Sequence, residues 1–294
     1  MKKIATKFYT FLYAVLLLLS FGGCELINPE EEIPAYIEVK GIKITSNYAT
    51  QGTSSASITD VWVFADNKYI GTYELPARFP ILLKGKQKIT FGAGIEANGI
   101  ASTNEFYPLY RFHEQEVNLE PGKVSTVDTF TVEYFSGIQY VWYEDFESDT
   151  SGGGISIDTT GNSNANIQTD SVMVFEGKRS LKLSVNTTTN YLECITVGDG
   201  YALSKGKDIY LEMNYKCSQS FNMGIVAISS FGQSTNPIIT LNPKTDWNKI
   251  YIRLGPYINA SGNALKFKMI FGLKLADGAT EGTVYLDNLK LITN

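Results

Sequence analysis

The chain is poor in the residues on which most protein site chemistry depends. It holds one histidine, His113, and three cysteines, Cys24, Cys194 and Cys217, in 294 residues. One histidine excludes a His-rich metal motif, and no Gly-x-Ser-x-Gly elbow is present to carry a hydrolase nucleophile. His113 lies between Phe112 and Glu114 and reads as a surface or hydrogen-bonded residue. Cation is also scarce: 25 Lys and Arg stand against 30 Asp and Glu, a formal charge of −5. Nucleic acid is a poor partner for such a chain, because counterion release needs clustered Lys and Arg. Beyond the first two dozen residues no apolar run reaches the ~20 residues that a helix needs to cross a bilayer. No amphipathic helix of any length is legible either.

What is there begins at the start of the chain. Lys2, Lys3 and Lys7 precede an apolar run over residues 8–21, followed by Gly22, Gly23 and Cys24. Basic region, short apolar core and small residues in that order form a secretory signal. With a cysteine at the cleavage point, it resembles a bacterial lipoprotein signal, in which the thiol is acylated and becomes the new N-terminus. Phe21 departs from the smaller aliphatic residue usual there. On this reading a leader of 23 residues leaves 271, and the loss of three lysines moves the charge from −5 to −8. The lipid on Cys24 is then the expected membrane anchor, and several acyl chains on one cysteine hold stably. Residues 24–34, with Glu25, Pro29 and the run Glu30, Glu31, Glu32, read as an acidic tether.

Export permits disulfides, and Cys194 and Cys217 are an even pair. Two readings stand: a bridge, or two separate small buried residues. Alternation puts Cys217 on one face with Ile209, Leu211, Met213 and Tyr215, and Cys194 with Leu192. Metal binding by the pair lacks a third thiol or a nearby histidine.

From residue 35 onward, β-rich runs alternate with turn residues such as Asp66-Asn67, Asn98-Gly99 and Pro121-Gly122. The expected architecture is all-β, with one sandwich over 35–136 and a second over 137–294. Residues 265–275 alternate Leu, Phe and Met with Lys266, Lys268 and Lys274, a half-buried strand with a lysine face. Residues 284–292 are apolar on both faces, which predicts a central strand.

Two further resemblances rest on ordered motifs. Val61-Trp62-Val63-Phe64-Ala65-Asp66-Asn67-Lys68-Tyr69-Ile70-Gly71, then Leu75-Pro76-Ala77 and Lys84-Gly85-Lys86, resemble transthyretin-like and Ig-like surface-lipoprotein repeats over residues 56–97. Tyr143-Glu144-Asp145-Phe146-Glu147, Phe175-Glu176-Gly177-Lys178-Arg179-Ser180, Asp246-Trp247-Asn248 and Tyr285-Leu286-Asp287-Asn288-Leu289 resemble the galactose-binding-like jelly rolls of carbohydrate-binding proteins. That second resemblance spans residues 140–294. It implies a structural calcium between the first and last strands, held by Glu147 and Asp287 with backbone carbonyls near residues 177–180. The alternative is a pair of acids at strand ends, solvated or bonded to a loop.

Trp247 suggests a sugar-stacking platform, but a tryptophan entering a strand of this kind is expected in or beside the core, as are Trp62 and Trp142. Tyr251 and Tyr257 lie near the same strand, and no platform is selected. Asp145, Glu147 and Asp149 alternate as in some sandwich-fold glycosidases. Phe146 stands where the Glu-x-Asp-x-x-Glu spacing requires its central acid, so that match fails.

The expectation is therefore an outer-membrane lipoprotein, similar to those of Bacteroidota, with acids after the lipidated cysteine favouring the cell exterior. Non-catalytic glycan binding by the jelly roll leads. A structural lipoprotein that docks another envelope protein is the alternative, and a glycoside hydrolase stands third.

Overall fold

The computed structural model describes residues 31–147, 154–157, 165–168 and 172–294. Cys24, Glu25, Glu30 and Asp149 lie outside them. Strands dominate, and among the described residues the helices are two short turns, α1 (Tyr48–Gln51) and α2 (Gly255–Ala260). The fold is all-β.

The first sandwich is built from β1 (Ala35–Val39), β2 (Ile42–Ile44), β3 (Asp60–Ala65), β4 (Lys68–Glu74), β5 (Ala77–Ile81), β6 (Gly85–Glu96), β7 (Asn104–Phe106), β8 (His113–Leu119), β9 (Val124–Val127) and β10 (Phe130–Val132). One layer places β1 between β5, antiparallel, and β9, parallel, with β2 parallel to β10. The other is a five-stranded antiparallel sheet in the order β4-β3-β6-β7, with β8 on the opposite end of β6. The β3–β4 turn takes Asp66 (φ 47°) and Asn67 (φ 62°) through the left-handed region that a two-residue hairpin demands.

The chain enters the second sandwich between Tyr134 and Gln139. It comprises β11 (Gln139–Glu144), β12 (Ile155–Ile157), β13 (Ala165–Gln168), β14 (Ser180–Asn186), β15 (Tyr191–Thr196), β16 (Tyr201–Ala202), β17 (Ile209–Cys217), β18 (Phe221–Ser229), β19 (Gly232–Leu241), β20 (Lys244–Arg253), β21 (Lys266–Lys274) and β22 (Glu281–Thr293). Two six-stranded antiparallel sheets face each other as a jelly roll. The seam sheet runs β13-β14-β22-β17-β20 with β11 beside β22, and the far sheet runs β12-β15-β21-β18-β19 with β16 beside β21. As expected, β22 is central, paired with β11, β14 and β17.

A disulfide between Cys194 and Cys217 does not form. Both are free, buried thiols. Cys194 faces the core from β15 of the far sheet and Cys217 from β17 of the seam sheet, both within the one core cluster. The Sγ of Cys217 instead donates to Asn242 O at 3.4 Å.

The first sandwich lies on the outer surface of the seam sheet, and its core cluster takes in Tyr210, Tyr251 and Ile292 from the second. At the centre is Glu212, fully buried. Tyr107 donates to its Oε1 at 2.7 Å, Tyr134 donates at 2.9 Å, and Lys249 Nζ sits 3.0 Å from Oε2. Lys290 Nζ donates across the seam to Thr53 O and to the Tyr134 hydroxyl. Burial opposes the charge on Glu212, but the two ammonium groups and the Tyr107 hydroxyl hold its carboxyl below the usual range. Backbone bonds also cross, including Asn98 N to Tyr251 O at 2.8 Å. Removing one member of such a buried network leaves an uncompensated charge, which costs about 3–5 kcal/mol.

Candidate ligand-binding face

The first sandwich covers the seam sheet where Tyr210, Tyr251 and Ile292 enter its core, and the outer surface of the far sheet is free to present side chains to solvent. Strand periodicity decides which ones. On β15, Leu192, Cys194 and Thr196 turn inward, while Tyr191, Glu193 and Ile195 turn outward. On β21, Phe267, Met269, Phe271 and Leu273 enter the core, which puts Lys266, Lys268, Ile270, Gly272 and Lys274 on the outer face, where Ile270 is itself buried.

Register then assembles a polar row. Glu193 pairs with Gly272, Gly272 with Asn222 on β18, and Asn222 with Thr240 on β19. The Thr240 hydroxyl donates to Asn222 Oδ1 at 2.7 Å. Gly272 forms the floor: a Cβ there would stand 3.7 Å from Glu193 Cγ and 3.9 Å from the Tyr191 hydroxyl. The missing side chain leaves a shallow trough under those two groups. Tyr191 is 38% exposed, so part of its ring faces solvent beside the row. A carboxylate, an amide, hydroxyls and an aromatic ring around a glycine floor suit a ligand with many hydroxyls and an apolar face. Sequence reasoning missed Tyr191, Glu193 and Asn222, although the alternation of β15 and β21 could have found the first two.

The structure does bring Glu147 and Asp287 to one turn. Glu147 Oε1 accepts from Lys178 N at 2.7 Å and Arg179 N at 2.9 Å. Asp287 Oδ2 accepts from Phe175 N at 3.0 Å and Glu176 N at 3.2 Å. Gly177 (φ 75°) lets the chain pass against Glu147, since a Cβ there would lie only 2.4 Å from Oε1. Asp287 reaches the turn through a bulge: Asn288 adopts φ 49°, and the pairing with β17 skips a residue between Glu212 and Asn214. Burial pushes the Asp287 carboxyl up to about 7 against three backbone N–H groups, and the Glu147 charge adds to the rise. A hard cation such as calcium, if bound, would relieve the repulsion between these two carboxylates. Among the described residues no three His, Cys, Asp or Glu side chains are grouped to hold a metal. A cation here would therefore draw further ligands from backbone carbonyls or water.

Other candidates resolve differently. Tyr251 is buried in the seam, its hydroxyl accepting from Ser57 N at 3.0 Å, and Trp247 packs edge-on against Phe175 at 5.8 Å. Trp142 is half-buried against the core and stacks on Tyr201. Trp62 is not a core residue. It faces outward from β3 in a cluster with Tyr69 (5.5 Å) and Phe106 (6.3 Å), and Phe106 stacks on Phe112 at 4.9 Å. Gly92 makes room for that stack, since a Cβ there would lie 2.6 Å from Phe106. His113 stacks on Phe130 at 4.1 Å. The Asp145 carboxylate accepts from the Tyr48 hydroxyl and from Glu147 N.

No protein-family model matches the chain, and no curated protein is similar to it at a significant level. Among solved structures, one from a study of promiscuous specificity in carbohydrate-binding modules of the β-sandwich superfamily is 16% identical with a TM-score of 0.39. That match covers 90% of this chain and 99% of the other. The family 30 carbohydrate-binding module of a Clostridium thermocellum cellulosomal cellulase is 18% identical at TM-score 0.35, covering 54% and 94%. The CBM22-1 xylan-binding domain of Paenibacillus barcinonensis Xyn10C is 11% identical at TM-score 0.36, covering 53% and 94%. At these values the likeness carries no functional argument.

Proposed function

We propose that this is a non-catalytic glycan-binding lipoprotein, held at the outer membrane by lipid on Cys24 and facing the cell exterior. The carrying observation is the polar row Glu193, Asn222 and Thr240 over Gly272, beside the half-exposed Tyr191 ring. A pyranose offers an apolar face to the ring and hydroxyls to the row. The first sandwich buttresses the opposite sheet, and so fixes how the far sheet is presented. Glu147 and Asp287 hold a structural calcium in this reading, away from the ligand.

A glycan array probed with the mature chain in detergent tests the proposal. Retention of a defined set of glycans, lost in Glu193→Ala, is the expected result. No retained glycan, or retention unaffected by that change, would overturn it. A second reading, docking of another envelope protein, is favoured by the outward aromatic cluster of Trp62, Phe64, Tyr69, Phe106 and Phe112. Capture of a single partner, lost in Phe112→Ser, would select that reading instead.

A further inference from the structure

We infer that the ligand of the far sheet is an anionic glycan, one carrying carboxylate or sulfate groups; the inference rests on the glycan-binding reading above. The observation is where charge sits on an acidic chain. The outward positions of β21 carry Lys266, Lys268 and Lys274, the side chain of Lys266 being 47% exposed. On the strands facing them across the register, Glu193 is the one outward acid. Asp199, at the edge, stands 3.9 Å from Lys266 with its own side chain 93% exposed. Three cations therefore stand against two carboxylates, Glu193 on the face and Asp199 at its edge, in a protein whose formal charge is −5.

Edge protection does not explain these lysines. Lysines protect sheet edges from pairing with other chains. Yet β21 is central, with β15 and β16 on one flank and β18 on the other. The lysine row flanks the trough, since Gly272 lies between Ile270 and Lys274 on the same strand. At the rise of an extended strand, Lys266 and Lys274 are about 26 Å apart, enough to follow several sugar units. A neutral glycan would offer no countercharge to Lys268 and Lys274 and none beyond the exposed Asp199 to Lys266, whereas acid groups repeating along a polymer would meet all three in turn.

The test is titration of the mature chain in detergent against polygalacturonate, heparin, and the neutral polymers xylan and galactan. Binding to polygalacturonate, or to heparin if sulfate is the source, should exceed binding to the neutral polymers. It should weaken about tenfold from low to high salt, as exposed charges are screened. The combined Lys266→Gln, Lys268→Gln, Lys274→Gln variant should lose at least as much, with an unchanged melting temperature. Lys84→Gln with Lys86→Gln, in the other sandwich, should bind normally. Preference for neutral polymers, or acid-polymer binding that the triple change leaves intact, overturns the inference while the glycan reading stands. Binding to none of the polymers on this set and none on the array overturns both.

Discussion

Single side chains carry two testable consequences. Cys194 and Cys217 are buried thiols, and burial raises both above the usual thiol range, Cys194 most strongly. A thiol reagent should therefore find neither in the native protein and both after denaturation, and reductant should leave the melting temperature unchanged. A melting temperature that falls with reductant would contradict this. The turn at Gly177 gives the second. If Glu147 and Asp287 hold calcium, chelator removes a ligand of the folded state alone. At a calcium concentration about a hundredfold above its dissociation constant that is worth ~2.7 kcal/mol. The melting temperature should then fall by roughly 5–10 °C with chelator. Asp287→Ala should abolish the response. Equal melting curves with and without chelator would remove calcium and leave the backbone N–H groups as the carboxylates' partners.

At the level of elements, stability turns on the seam between the first sandwich and strands β17, β20 and β22. Glu212→Gln keeps the shape of the acceptor but leaves Lys249 and Lys290 buried without their counter-charge, so a loss of about 3–5 kcal/mol is expected from denaturant unfolding. The signs of the pH dependence follow. The Glu212 carboxyl is held below its unfolded value, so its contribution is present above about pH 4.5 and is lost as pH falls through the lower folded value. Burial lowers Lys290 to about 8, so the folded state gives up that proton first and this group's contribution to stability rises between about pH 8 and 10.5. Tyr107, Tyr110 and Tyr134 are pushed well above 10 by burial and by the Glu212 charge. Each stabilises the neutral form, and that support is lost as pH rises past 10. A Glu212→Gln protein whose unfolding shows the same acid limb as wild type would refute this assignment.

Strand existence was legible where one face is solvated. The alternation of Lys266, Lys268 and Lys274 with Phe267, Met269 and Phe271 marks β21 without help from the fold, and Asp66-Asn67 marks the β3–β4 turn. The seam was not legible. Tyr210, Glu212 and Tyr251 alternate with core residues as any solvated face does, and only tertiary packing shows that a second sheet of rings covers them. Trp62 misled for the converse reason: a tryptophan flanked by valines reads as core, although its strand face looks outward. The Asp287–Asn288 bulge, which re-aims a carboxylate, leaves no periodic trace.

At the scale of the whole molecule, the proposed lipid anchor, the buttressing first sandwich and the presenting far sheet act together. Cys24→Ala should leave the protein unacylated and out of the membrane fraction, while Cys194→Ala and Cys217→Ala remain attached; normal fractionation of the first would end the anchoring proposal. Ligand is proposed to lie across the far sheet, over Gly272. A valine there places its Cβ in ordinary contact with Glu193 and Tyr191, on a strand that favours valine, so the fold should survive while the trough fills. Side-by-side titration of wild type and Gly272→Val with the strongest glycan from the array is the direct measurement. The expected result is an affinity loss of about tenfold or more, at least ~1.4 kcal/mol, with melting temperatures that agree. Equal affinities for the two proteins would contradict it.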